Sequence, residues 1–150
     1  MNDYQKSIAV SKPPGDVYNA ITQHVGEWWS NDLTGAAANV GDRFNIAFNQ
    51  TKKTFEIIDA LPNERVVWQC VKAHIDHASL NNKSEWVGTK LYWTLTPAAD
   101  GTTVNFLHEG LNQSFECYGL CENGWNYFLQ SLEAYINTGK GMPHIKKEAA

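Results

Sequence analysis

Apolar and polar residues alternate along six stretches of the chain and recur at helical spacing in two others. In "YQKSIAVSK", Ile8 and Val10 share one side, which predicts a first strand. Pro13 and Pro14 end it, because prolines stop a strand and suit the first turn of a helix. Val17, Tyr18 and Ile21 then follow helical spacing, so a short helix is expected to run to about Gln23. Gly26 interrupts it, and "EWWSND" reads as a second short helix or a tight turn. "TGAAANVGDRF" is small and flexible, with a turn at Gly41-Asp42.

The middle of the chain has period two. Phe44, Ile46 and Phe48 alternate with polar partners, and after a turn at "NQTKK" Phe55 and Ile57 do the same. Past a turn at "LPNE", Val66, Trp68 and Cys70 share a face, and "HIDHASLNNKS" reads as a polar loop. "EWVGTKLYWTLTP" sets Val87, Leu91, Trp93 and Leu95 on one face, and "AADG" turns into a strand with Val104, Phe106 and His108 in register. No connection here is long enough for a helical crossover, so these strands form consecutive antiparallel hairpins.

The last segment changes period. Tyr118, Cys121, Trp125, Phe128, Leu129, Leu132 and Ile136 follow an i, i+3, i+4, i+7 pattern, with Gly139 placed to take the left-handed cap. Gly119 and Gly124 each weaken the first turns by roughly 1 kcal/mol relative to Ala. Both layers must bury their apolar faces. The expected fold is therefore α+β, a curved antiparallel sheet wrapped around a long C-terminal helix, with two short helices after the first strand. A bent sheet cannot close on one helix everywhere, and the gap is a natural pocket.

Composition narrows the function classes. The 150 residues are 43% hydrophobic, which fits one domain spanning residues 1–150 with a substantial core. Twelve basic residues against sixteen acidic ones give a net charge of −4 without a basic stripe, which argues against nucleic-acid binding. "MNDYQKSIAV" has no leader pattern, and no run approaches the roughly 18 apolar residues of a membrane span. A cytoplasmic location is expected, and the odd set Cys70, Cys117 and Cys121 suits buried thiols in a reducing compartment.

Candidate chemistry centres on aromatic rings and one histidine. Trp68, Trp93 and Trp125 fall on inward faces, where they either fill the core or line a chamber. Trp28 and Trp29 are adjacent and should not share a face, so one indole is expected in the core and its neighbour elsewhere. His108 is aimed inward and is expected to stay neutral, as a ligand contact, a general base or a core histidine satisfied by the backbone. Glu109 lies on the opposite face and makes a poor catalytic partner.

His74 and His77 flank Asp76, but a zinc site needs a third protein ligand and none is nearby, so no metal is expected. Cys117 and Cys121 fall on one helical face, and the acidic neighbours Glu116 and Glu122 favour inert thiols. The sequence carries no phosphate-binding loop, no nucleophile elbow and no paired carboxylates on one face. No cofactor and no catalytic constellation are implied.

"PPGDVYNAIT…WW", the "GDRF" turn, "TFEIIDALPNERVVW", "GTTVNFLHEGL" and "NGWNYFLQSLEAYINTGKGMP" together resemble single-domain members of the activator-of-Hsp90-ATPase-like family, within the START/Bet v 1-like helix-grip superfamily. The resemblance implies a cavity between sheet and long helix that opens near the short helices. Trp28 or Trp29 would line or lid its mouth. The reading that follows is a protein binding a small, mostly apolar or aromatic molecule through Trp28, Trp29, Phe44, Phe55, Trp68, Trp93, Phe106, His108, Cys121 and Trp125. The resemblance leaves two alternatives, a cyclase- or aromatase-like enzyme using the same cavity and a chaperone-interacting module. Exposed aromatic edges leave a homodimer open.

Overall fold

The computed structural model describes residues 2–146, so Met1 and residues 147–150, which the single-domain expectation included, lie outside it. In chain order the elements are β1 (Tyr4–Val10), α1 (Pro14–Gln23), α2 (Val25–Trp28), β2 (Leu33–Gly35), β3 (Arg43–Phe48), β4 (Thr51–Leu61), β5 (Arg65–His74), β6 (Lys90–Ala98), β7 (Gly101–Glu109) and α3 (Tyr118–Thr138). The strands form one antiparallel sheet in the order β1-β7-β6-β5-β4-β3-β2. From β2 to β7 each strand pairs with the next, as the hairpin spacing predicts, and β1 closes against β7.

Register shifts in the β4–β5 ladder, at Thr54/Phe55 and Ile57/Asp59, bend the middle of the sheet. α3 lies across its concave face with Cys121, Trp125, Leu129, Leu132 and Ile136 buried. It stops where expected, at Gly139 with φ 84°, whose N–H donates to Tyr135 O at 2.8 Å. The architecture is the curved antiparallel sheet wrapped around a long C-terminal helix that the pattern implied.

Four local readings differ from the structure. The β3–β4 turn uses Asn49 and Gln50 alone, with Asn49 at φ 61°, so β4 starts at Thr51 and Lys53 joins Phe55 and Ile57 on the inward face. β6 starts at Lys90, after Gly88 takes φ 91°; Val87 is therefore 48% exposed while Trp86 is 2% exposed. The loop after β5 is not wholly polar, since Ile75 and Leu80 are buried. Lys83 draws it together by donating to His77 O and Leu80 O at 2.9 and 2.7 Å. The small-residue stretch begins with a short strand, β2, paired to β3.

The turn at Gly88 generates a direct test. Trp86→Ala should lower unfolding free energy by about 3–5 kcal/mol through lost burial, while Val87→Ala should stay within about 0.5 kcal/mol. Urea unfolding of the two variants measures both, and the reverse order would reject this register.

Candidate functional site

The paired tryptophans organise the site. Trp28 is fully buried, and its Nε1–H donates to Ala20 O at 2.9 Å, tying α2 to α1. Trp29 caps α2 at φ −106°, ψ −70°, away from regular helical angles. Its ring stacks on that of Trp28, with centroids 5.9 Å apart and planes 6° apart, so the two indoles lie one behind the other with Trp28 on the core side. α3 and the chain that follows it hold both. Ser131 Oγ donates to Trp28 O at 2.8 Å, and the His144 amide donates to Trp29 O at 2.9 Å. Gly141 lets this segment approach, because a Cβ there would sit 3.1 Å from Trp28 Cα.

Beyond Trp29 the interior opens into a cavity of about 350 Å³ between β4, the loop after β5 and the first turns of α3. Trp29, Phe48, Trp86, Trp125, Phe128 and Ile75 wall it. Lys53 and Cys121 lie at its buried end, and Asp76, His77, Leu120 and His144 stand at its rim. Gly124 leaves open space on the α3 side, where a Cβ would meet no neighbouring atom within 4 Å.

Of the ten residues the sequence proposes, this wall brings together Trp29, Cys121 and Trp125. Phe44, Phe55, Trp68, Trp93 and Phe106 instead fill the space behind it, ring against ring, as in Trp93–Phe106 at 4.4 Å and Phe44–Trp68 at 5.0 Å. Trp28 and His108 lie in that solid part as well. The sequence reading missed the wall residues Phe48, Ile75, Trp86 and Phe128, Lys53 at the buried end, and Asp76, His77, Leu120 and His144 at the rim. Lys53 was hidden in a turn drawn too long, although its two-residue spacing from Phe55 carried the signal. Trp86 was hidden by parity counted through Gly88.

Lys53 is 9% exposed, with its Nζ 3.5 Å from the centroid of the Trp86 ring. Burial lowers its pKa, opposed by the nearby thiols of Cys121, Cys70 and Cys117. Trp86 stacks on Trp125 at 5.9 Å and 10°, and its Nε1–H donates to Cys121 Sγ at 3.3 Å. The sulfurs of Cys117 and Cys121 are 2.8 Å apart. That contact holds the Cys121 thiol below its ordinary value and pushes Cys117 up. Burial raises Cys70 to about 12.

His108 is fully buried, and both ring nitrogens are engaged. The Trp125 indole can only donate, so its Nε1–H at 3.1 Å makes His108 Nδ1 the acceptor. Nε2 then carries the hydrogen and donates to Thr89 Oγ1 at 2.8 Å, which donates onward to Trp86 O at 2.6 Å. Burial, then the positive field of Lys53, lowers the His108 pKa to about 3. A second ring proton would also face the Trp125 N–H. The loop histidines differ: His74 and His77 are exposed, and His77 Nδ1 pairs with Ser79 Oγ at 2.7 Å. Among the described residues no group of three His, Cys, Asp or Glu side chains is placed to hold a metal ion. No described helix is long and apolar enough to cross a membrane.

Residues 11–137 match the family model described as activator of Hsp90 ATPase homolog 1-like protein. Among solved structures, the chain is similar to the Aha1 dimer from Colwellia psychrerythraea, at 28% identity over 94% of this chain and 100% of that one, with a TM-score of 0.76. It shares its fold with a Mesorhizobium loti protein, at 24% identity over 88% and 94% of the two chains and a TM-score of 0.71. It also shares that fold with DynU16, from the dynemicin biosynthetic locus, at 21% identity over 94% and 49% and a TM-score of 0.72. No curated protein matches the sequence.

The His108 pair of hydrogen bonds makes stability depend on pH. The unfolded chain takes a proton near pH 6.5 that the folded chain refuses until about pH 3, so stability is complete above that window and falls as pH drops through it. The expected loss is about 1.4 kcal/mol per pH unit. His108→Gln cannot protonate yet keeps an acceptor and a donor. Unfolding free energies of the two proteins at pH 7 and pH 5 should therefore converge toward acid, and parallel curves would overturn the assignment.

Proposed function

We propose a function from one premise: the chain belongs to the activator of Hsp90 ATPase homolog 1-like family. The protein binds a small, mostly apolar or aromatic molecule in the cavity between its sheet and α3. One observation carries this reading. The aromatic side chains that could have closed the interior stop short of the β4–α3 gap, leaving about 350 Å³ bounded by Trp29, Phe48, Trp86, Trp125 and Phe128. That volume lies in the range of small-molecule sites, and flat rings on several sides suit a flat apolar guest. Trp29, Trp125 and Cys121 contact the guest, while Trp28, Phe44, Phe55, Trp68, Trp93, Phe106 and His108 support that wall from behind.

The wall is held rigidly. Trp125 is fixed by His108, Trp29 by the segment after α3, and Trp86 by its stack on Trp125. A preformed wall lowers the ordering cost of binding. The odd number of cysteines supports a reducing, cytoplasmic setting. The likeness to a protein solved as a dimer supports self-association of this chain, and exposed Leu120 and Tyr127 on α3 offer apolar surface for it. Sedimentation at micromolar concentration tests that second point; a mass of one chain rejects it.

Gly124 separates ligand binding from stability. Gly124→Leu projects a side chain into the open space beside α3 and removes a glycine from a helix interior. The variant should be more stable by up to about 1 kcal/mol. Its affinity for a neutral two-ring probe, 2-naphthamide, should fall at least tenfold in a tryptophan-fluorescence titration. Unchanged affinity would show that the probe does not use this cavity.

A further inference from the structure

Resting on the cavity as a ligand site, the geometry points to a narrower class: we propose that the guest carries a carboxylate on its aromatic or apolar body and that Lys53 pairs with it. The inward face of β4 reads Lys53, Phe55, Ile57, and all three are buried. A lysine in that row costs desolvation unless something compensates. The charged pairs elsewhere are at the surface: Arg43 with Glu56, Arg65 with Asp59, and Lys146 with Asp32.

Among the described residues, no carboxylate lies within ion-pair distance of Lys53 and no acceptor takes a hydrogen bond from its Nζ. The Trp86 ring face attracts the ammonium, yet it offers no lone pair to its three N–H donors. The titratable groups around it are the thiols of Cys70 on β5 and of Cys117 and Cys121 at the start of α3, with the neutral imidazole of His108 on β7. None of them hydrogen-bonds the amine.

The neighbouring donors are already committed. Trp86 Nε1–H goes to Cys121 and Trp125 Nε1–H goes to His108, so those two wall donors are taken, while Lys53 borders the open volume at its buried end. Rings on the remaining walls lower the local polarity beside Lys53, which strengthens a charge pair there. A single carboxylate satisfies this arrangement: it supplies the acceptors and the opposite charge, and its apolar body occupies the aromatic walls. A phosphate would bring more charge and more acceptors than one lysine can meet. Asp76 stands at the exposed rim, in water, and does not compete for the buried end.

The test compares two near-isosteric probes, 2-naphthoate and 2-naphthamide, by calorimetric titration of the wild type and Lys53→Met. Wild type should bind the naphthoate at least tenfold tighter than the amide. Lys53→Met should lose that preference while holding the amide within about threefold of wild type. Equal binding of both probes by wild type, or a preference that survives in Lys53→Met, overturns the lysine–carboxylate pairing and leaves the cavity reading intact. Failure of wild type to bind either probe rejects the cavity reading itself. Should Lys53→Met not fold, lysine-labelled wild type decides: the Lys53 Nζ resonance should shift with the naphthoate and not with the amide, and the absence of that difference rejects the proposal.

Discussion

A stack of four indoles sets the spacing between sheet and helix, and the rest of the interior depends on it. Trp28 lies on Trp29 at 5.9 Å, Trp29 on Trp125 at 5.1 Å, and Trp125 on Trp86 at 5.9 Å, with planes 6°, 29° and 10° apart. Offset stacking of this kind contributes about 0.5–1.5 kcal/mol per pair beyond the area buried. The stack also runs across four parts of the chain, from α2 through its cap to α3 and the turn before β6. On one side of it Phe44, Phe55, Trp68, Trp93 and Phe106 pack solidly; on the other lies the cavity. Solid core and open site are two faces of one wall.

That wall stays in place because its ends are pinned by hydrogen bonds that apolar packing alone would not supply. Trp28 is tied to Ala20 O, Trp125 to His108, and the backbone of Trp28 and Trp29 to Ser131 and His144. Each bond satisfies a buried polar group that would otherwise cost about 1–3 kcal/mol. The indole N–H groups of Trp68 and Trp93 have no such partner among the described residues. They sit among rings, where aromatic faces are the acceptors available. Trp29, Trp86 and Trp125 border the cavity, Trp28 lies behind them, and the unpinned Trp68 and Trp93 fill the core.

The legible part of this design was its periodicity. Alternation in β5 and β7 placed Val66, Trp68, Cys70, Val104, Phe106 and His108 on the buried face where they lie, and helical spacing located α3 together with its glycine cap. Legibility failed at turns. Asn49 and Gly88 both take positive φ, and each moves a strand boundary by a few residues. Such a move is harmless for the fold, since the same strands pair either way. It is decisive for the site, because one residue of parity exchanges inside for outside and two extra strand residues add an inward position. Lys53 and Trp86, the residues that give the cavity its charge and its ring, both sit beside those turns. Which of Trp28 and Trp29 faces the cavity could not be read from spacing, because it is decided where a helix of four residues ends at Trp29.

The division between what is shared and what is particular follows from this. A bent sheet closed by a long helix leaves a gap wherever side chains do not fill it, so the gap belongs to the architecture. Family membership therefore carries the fold but not the chemistry of the gap. The chemistry lies in how each polar group near the gap is satisfied. His108 is enclosed by one donor and one acceptor and cannot easily gain a proton, so it serves the wall. Lys53 is buried at the end of the cavity, against the Trp86 ring and without a carboxylate partner among the described residues. A lysine with only a ring face beside its ammonium is costly to keep in a row that could have held leucine. The difference between these two side chains, which share contact with Trp86, separates a position closed by its own hydrogen bonds from one left open at the cavity, and the proposed carboxylate pairing rests on that difference.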